Sequence, residues 1–180
     1  VHWMFDEINQ PYDIKQSSQP IKNFTLKRRV DFTPNLKKKN MYNFNFSDQH
    51  ILNAQYPKIP ITTYFGFDVN LVSNSLHWLN RINRLSWLEK EKTIALLKKV
   101  MQKEINGSDD FAVHVSNGSE TDTNGFSLYG KNEKDITGKI ASLVVYQVYT
   151  QNKKVGIASI ESVCSLDDIL RETTIKAYGL

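Results

Sequence analysis

Apolar and polar positions along this chain change period twice, and the changes mark its elements. Over residues 69–84, Val72, Leu76, Leu79, Ile82, Leu71 and Trp78, with Leu85 just beyond, fall on one side of a helix wound at about 100° per residue. Asn70, Asn74, His77, Asn80, Arg81 and Arg84 fall on the other, and Asn83 is a polar residue within the apolar side. A second helix is predicted from Ser86 to about Ile105. Ser86 and Glu89 have the spacing of a capping box, in which each side chain satisfies the other residue's free N–H. Its stripe is Trp87, Ile94, Leu97, Met101 and Ile105, and Asn106-Gly107 ends it.

From residue 111 the period is two. Phe111, Val113 and Val115 lie on one face of a strand over 111–116, with Ala112, His114 and Ser116 on the other. A polar loop leads to a strand at 126–129. Residues 140–150 (IASLVVYQVYT) are apolar on both faces, the pattern of a central strand. Residues 151–154 then read as a hairpin turn into a strand at 155–164. Ser165, followed by Asp167 and Asp168, predicts the cap of a last helix running to about Ala177.

The N-terminal third is different in kind. All five prolines lie in the first sixty residues, and seven of the eight glycines follow residue 100. An extended, irregular segment is therefore expected over 1–60, with short strands at 24–32, 42–46 and, just beyond, 61–65. The expected architecture is α+β in a single domain of residues 1–180. The extended N-terminal segment is followed by a body over 61–180: two helices, a four-stranded antiparallel sheet and a C-terminal helix. The hairpin of 140–150 with 155–164 is expected at or near the centre of that sheet, with the two helices on one face.

Composition narrows the class. At 180 residues, with 40% hydrophobic and 23% charged residues, the chain has the make-up of a globular domain. No apolar run approaches the ~18–20 residues of a membrane helix, and the first twenty residues lack the apolar stretch of a signal peptide. The single cysteine, Cys164, rules out an intramolecular disulfide, so the chain is expected to be cytoplasm-compatible. It begins at Val1, with its first methionine at Met4, as a processed protein or excised domain would. His2, His50, His77 and His114 show no metal-ligand spacing, and neither a metal nor a cofactor is expected.

Two segments come close to known binding loops and fall short. Gly125–Asn132 nearly spells a phosphate loop, but such a loop needs a final Ser or Thr for Mg²⁺ where Asn132 stands, and its interior reads as a strand. Glu120–Gly125 begins like a calcium loop, but the twelfth position, which needs a bidentate carboxylate, is Lys131. Cys164 precedes a helix N-terminus, which favours a thiolate, while Asp167 and Asp168 oppose one; a small buried residue is the alternative.

Charge is the most distinctive feature. Residues 22–39 hold Lys22, Lys27, Arg28, Arg29, Lys37, Lys38 and Lys39 against one acid, Asp31. That is a net +6 in a chain of net +4, so the remainder sums to −2. Phe24, Phe32, Tyr42, Phe44 and Phe46 interleave, and His77, Arg81 and Arg84 are expected to extend the patch. Cations beside exposed aromatics suit single-stranded nucleic acid, which needs phosphate neutralisation and base stacking. The alternative is a solvated charge run whose aromatics are turned into the core.

Two functions follow as expectations. The first is a non-catalytic binding module that engages an acidic protein or single-stranded nucleic acid, and no membrane, through Lys27, Arg28, Arg29, Lys37, Lys38, Lys39, His77, Arg81 and Arg84. The second is a metal-independent hydrolase. Helices followed by a four-stranded antiparallel sheet are similar in element order to the barnase- and colicin-type ribonucleases, which carry acid–base and cationic residues on the open sheet face. That resemblance implies His114 as base, Tyr129 beside it and Lys139 stabilising the phosphorane. The alternative for His114 is a strand histidine that only hydrogen-bonds a neighbour.

Overall fold

The computed structural model of the chain describes residues 7–14, 17–32, 36–68, 70–82, 108–117, 125–151 and 159–179. Helix and antiparallel sheet are mixed among them, so the α+β class holds. They group into two compact units: Val1–Asp31 with Lys38–Gly107, and Phe32–Lys37 with Ser108–Leu180.

The first unit is built from very short strands. β1 (Pro11–Tyr12) pairs antiparallel with β2 (Ile21–Lys22). β3 (Lys27–Val30), β4 (Lys39–Asn43) and β5 (Tyr64–Phe65) form a second antiparallel sheet with β4 in the middle. Two helices, α1 (Ser47–Gln55) and α2 (Asn70–Arg81), complete the unit. Its core is Ile8, Phe24, Tyr42, Phe44 and Leu76, with Phe46, Phe65, Phe67 and Leu79 packed against it. Phe24 sits in the left-handed region at φ 59°, which is costly for a bulky residue. Its backbone is held on both sides: its N–H donates to the Asn43 carbonyl at 2.9 Å, and its own carbonyl meets His77 Nδ1 at 2.6 Å.

The expected strands at 24–32, 42–46 and 61–65 correspond to β3, β4 and β5, with shifted ends. Helix α1 lies within the stretch expected to be extended. Its first turn contains no apolar stripe, and Gln49 anchors it instead. That side chain is buried, accepts from the Thr63 N–H at 3.2 Å and donates to Asn45 Oδ1 at 3.3 Å. The predicted helix at 69–84 is α2, but its docked face differs from expectation. Ser73 and Leu76 are buried, and Asn74, His77 and Asn80 bond inward to Tyr42, the Phe24 carbonyl and the Asn23 carbonyl. Leu71 and Trp78 stay largely exposed. The sheet presents polar groups to this helix, and a buried polar group left unpaired costs more than an exposed leucine. The helix expected from Ser86 to Ile105 lies outside the described residues.

In the second unit, β6 (Asp110–Ser116), β7 (Gly125–Lys131) and β8 (Lys176–Tyr178) form an antiparallel sheet in the order β6-β7-β8. α3 (Glu133–Gln151) follows β7, and α4 (Leu166–Glu172) precedes β8. The first two strands match the period-two segments of the sequence. The four-stranded sheet is not formed: the described residues hold three small antiparallel sheets, and 140–150 is helical. The reason lies upstream. Asn132 turns the chain at φ 56°, and Glu133 and Asp135 place negative charge in the first turn, where the helix dipole favours it. Once nucleated, the helix propagates through β-branched residues whose own preference is weak. Ile136 is buried and Ile140, Leu143, Val144 and Gln147 are half-buried, a helical stripe that a window beginning at 140 cuts off.

The strand expected at 155–164 is also corrected. Residues 152–158 lie outside the described ones, and Ile160–Ser162 is a turn of 3-10 helix. The cap at Ser165 is a full capping box with Asp168, which satisfies both free N–H groups. The helix stops at Glu172, short of Ala177, because Lys176–Tyr178 is drawn into pairing with Ser127–Tyr129. The Tyr178 ring then meets Tyr129 edge-on at 5.1 Å. With the four-stranded sheet gone, the element order shared with the barnase- and colicin-type ribonucleases is gone too.

Candidate binding surface

Strand β3 is positioned by asparagines. Asn43, fully buried at the end of β4, accepts from the Leu26 N–H at 2.6 Å through its side chain and donates to Tyr12 Oη at 2.7 Å and the Lys22 carbonyl at 2.9 Å. Asn23 donates to the Glu7 carbonyl at 2.7 Å and accepts from the Asn45 N–H at 2.6 Å. The Asn43 bonds hold the chain at Leu26, where it enters β3, and the Asn23 bonds tie the preceding turn to Glu7 and Asn45.

The register then decides which groups of β3 face outward. The Asn43 N–H donates to the Leu26 carbonyl at 3.1 Å, which makes Leu26 and Asn43 a hydrogen-bonded pair. Antiparallel pairs alternate, so Arg28 with Met41 and Val30 with Lys39 are bonded pairs, and Lys27 and Arg29 turn their backbone groups away from β4. Among the described residues β3 is an edge of its sheet, so those groups lie along the side away from β4. The side chains of Lys27 and Arg29 are exposed on one face.

The other predicted cations are placed differently. Arg28 lies over the Tyr64 ring, 5.1 Å from its centroid. Lys39, half-buried, bonds the Asp68 carboxylate at 2.6 Å and also the Asp68 carbonyl. Lys38 pairs with Asp31 at 3.3 Å. Lys37 is exposed. His77 bonds the Phe24 carbonyl and stacks on Tyr42 at 4.8 Å. Arg81 is exposed in the last turn of α2, and Arg84 lies outside the described residues. Of the interleaved aromatics, Phe24, Phe32, Tyr42 and Phe44 are buried, and Phe46 is partly buried against the core. Sequence reasoning missed Tyr64 and Asp68, which hold Arg28 and Lys39; both are distant along the chain and carry no local signal.

The second unit holds the residues proposed for chemistry. His114 and Ser127 are direct cross-strand partners, with Nδ1 and Oγ 2.7 Å apart. Gly125 is required beside them: a Cβ there would lie 2.2 Å from the imidazole. Tyr129 shares this face, but its hydroxyl donates to the buried Phe32 carbonyl. The Phe32 ring stands edge-on to His114 at 6.0 Å. Lys139 is exposed on α3. Ile136, three residues earlier, reaches the opposite sheet face, where a Cβ on Gly130 would meet both Phe111 and Ile136. His114, Ser127 and Tyr129 are thus brought together, and Lys139 does not share their face.

The remaining sequence features resolve locally. A helix does follow Gly125–Lys131, but those residues are strand β7, whose N–H groups serve the sheet and do not wrap a phosphate. Residues 120–124 of the calcium-like stretch lie outside the described ones. Cys164 is buried, and burial together with the Asp168 carboxylate pushes its thiol pKa up. Among the described residues no group of three or more His, Cys, Asp or Glu side chains is placed to hold a metal ion, and no helix is long and apolar enough to cross a membrane. No family model, no curated protein and no solved structure matches this chain.

Proposed function

We propose that this chain is a non-catalytic binding module that takes an acidic, extended protein segment along the free edge of β3. One observation carries the reading: Lys27 and Arg29 are exposed on the same face of an edge strand, and the strand register turns their backbone groups outward. An added strand would gain main-chain hydrogen bonds from the edge and specificity from carboxylates opposite the two cations. Nucleic acid fits less well, because Phe24, Phe32, Tyr42 and Phe44 are core residues and offer no face for stacking. Charged edge strands also discourage sheet-to-sheet aggregation, and the experiment separates that role from binding.

The test uses the full chain and two labelled probes, a peptide alternating Glu and Thr and a single-stranded thymidine oligonucleotide, followed by fluorescence anisotropy across a salt series. The peptide should bind, and the double variant K27Q/R29Q should lose at least tenfold in affinity with a shallower salt dependence. Preferential binding of the oligonucleotide turns the reading toward nucleic acid. Binding of neither probe, with K27Q/R29Q more prone to aggregate, assigns the cations to edge protection.

A hydrolase reading, in its ribonuclease form, is favoured by the 2.7 Å contact of His114 with Ser127. The committed Tyr129 hydroxyl and the placement of Lys139 weigh against it. RNA cleavage by the wild type that is lost in H114A, with peptide binding unchanged, would put that reading first.

A further inference from the structure

Helix α3 carries an exposed stripe that its own unit leaves uncovered. Tyr149 is 84% exposed, Val145 68%, Tyr146 63% and Val148 46%, on the side opposite the stripe through Ile136, Ile140, Leu143, Val144 and Gln147. Ala141, Ser142, Val145, Tyr146 and Tyr149 line a shallow, almost wholly apolar groove of about 490 Å³. A helix apolar on all sides is normally buried on all sides.

We infer that this groove receives the same helix of a second copy of the chain, packed antiparallel about a two-fold axis near Val145. Three features point to a second copy. The stripe is graded, with small Gly138, Ala141 and Ser142 toward its start and Tyr146 and Tyr149 toward its end. Antiparallel self-pairing therefore sets Ala141 opposite Tyr149 and Val145 opposite Val145, large side chains against small ones. A Cβ on Gly138 would meet nothing within 4 Å, so the small end is open to an incoming ring. Residues 140–151 contain no charged side chain, so a two-fold axis brings no like charges together there. Tyrosine, with an apolar ring and a polar tip, suits a surface that is wet in one state and covered in the other.

Area sets the strength. A tyrosine buries ~150–250 Å² when covered, so the two exposed rings alone offer about 300 Å² per chain. With the valines and small residues, a pair buries on the order of 1,000 Å² in all, below the ~1,600 Å² of a standard stable interface. The dimer is therefore reversible and concentration-dependent.

Sedimentation of the full chain over a wide concentration range tests this. The weight-average mass should rise from that of one 20.8 kDa chain toward twice that value. V145E and V145K, each changing an exposed side chain, should sediment as monomers with unchanged circular dichroism. Mixed together they should form a heterodimer, because each helix places position 145 against position 145. V145C should form a disulfide-linked dimer, with the buried Cys164 left unreacted. A wild type that remains monomeric at millimolar concentration overturns the inference. So does a dimer that survives V145E, because its interface then lies elsewhere.

Discussion

The two units of this chain satisfy their backbones in different ways. In the second, β6 and β7 pair over seven consecutive positions and α3 runs for nineteen residues, so regular ladders and helix turns are long. In the first, no described strand exceeds five residues, and three strands have only two. A ladder that short leaves donors and acceptors over, and buried leftovers cost about 1–3 kcal/mol each unless paired. Asparagine does the pairing. Asn53 shows it most plainly: its amide donates to the Ile61 carbonyl at 2.7 Å and accepts from the Ile61 N–H at 2.9 Å, standing in for a strand neighbour. The consequence reaches the surface. The first unit closes its aromatic core, whereas the regular second unit leaves half of a nineteen-residue helix uncovered.

The units should therefore respond unequally to loss of large side chains. Phe24→Ala removes a wholly buried ring that meets Tyr42 and Phe44 at 5.8 Å each, and should cost ~3–5 kcal/mol. Tyr149→Ala on α3 should change stability by under ~0.5 kcal/mol at dilute concentration, as an exposed site does. Urea melts of both variants measure the difference. Equal costs would mean that the exposed stripe is part of the packed core.

A smaller effect should follow from the amide network. Asn43→Ala removes a side chain serving the Leu26 N–H, Tyr12 and the Lys22 carbonyl, and should cost ~1–3 kcal/mol although it empties little apolar volume. Ser127→Ala, which breaks one cross-strand bond to His114 in the second unit, should cost only ~0.5–1.5 kcal/mol. A reversed order, read from the same melts, would break the comparison.

Legibility in the sequence follows the same division. β6, β7 and α2, like the cap at Ser165, were readable because their signals are local: a period of two, a period near 3.6 and a Ser–x–x–Asp spacing. The helix over 140–150 was not, because a run apolar on every side satisfies both periods; the distinguishing charge lies upstream, at Glu133 and Asp135. The alternation Tyr42-Asn43-Phe44-Asn45-Phe46 is legible as a strand, but the burial of Asn43 is not: it depends on Tyr12 and Lys22, 31 and 21 residues away. The basic cluster was legible as composition and not as a surface. Lys39 is taken up by Asp68, 29 residues on, and of the aromatics read as a stacking platform Phe24, Phe32, Tyr42 and Phe44 are buried and Phe46 is half-buried.

The smallest difference between the units should emerge at alkaline pH. In the first unit, burial raises the Tyr12 pKa above its ordinary 10.0; the Asn43 hydrogen bond opposes this and Tyr64 adds to it. Burial alone raises the Tyr42 pKa. In the second unit, burial, with the Asp168 carboxylate, raises the Cys164 pKa above its ordinary 9.0. A group whose folded pKa is raised keeps its proton in the folded state where the unfolded chain has already released it. Over that interval the unfolded state binds fewer protons, so stability falls as pH rises. Below each ordinary value these groups leave stability unchanged. The second unit should therefore begin to weaken above pH 9 and the first only above pH 10. Hydrogen exchange resolved by segment, in β4 for the first unit and β7 for the second, reads the two separately. Cys164→Ala should flatten the decline in β7 between these two pH values and leave β4 unaffected. Tyr42→Phe should reduce the decline in β4 above pH 10, at the expense of the bond its hydroxyl gives Asn74 at 2.8 Å. A decline in β7 that persists in Cys164→Ala would mean that another group, and not the buried thiol, limits the second unit in alkali.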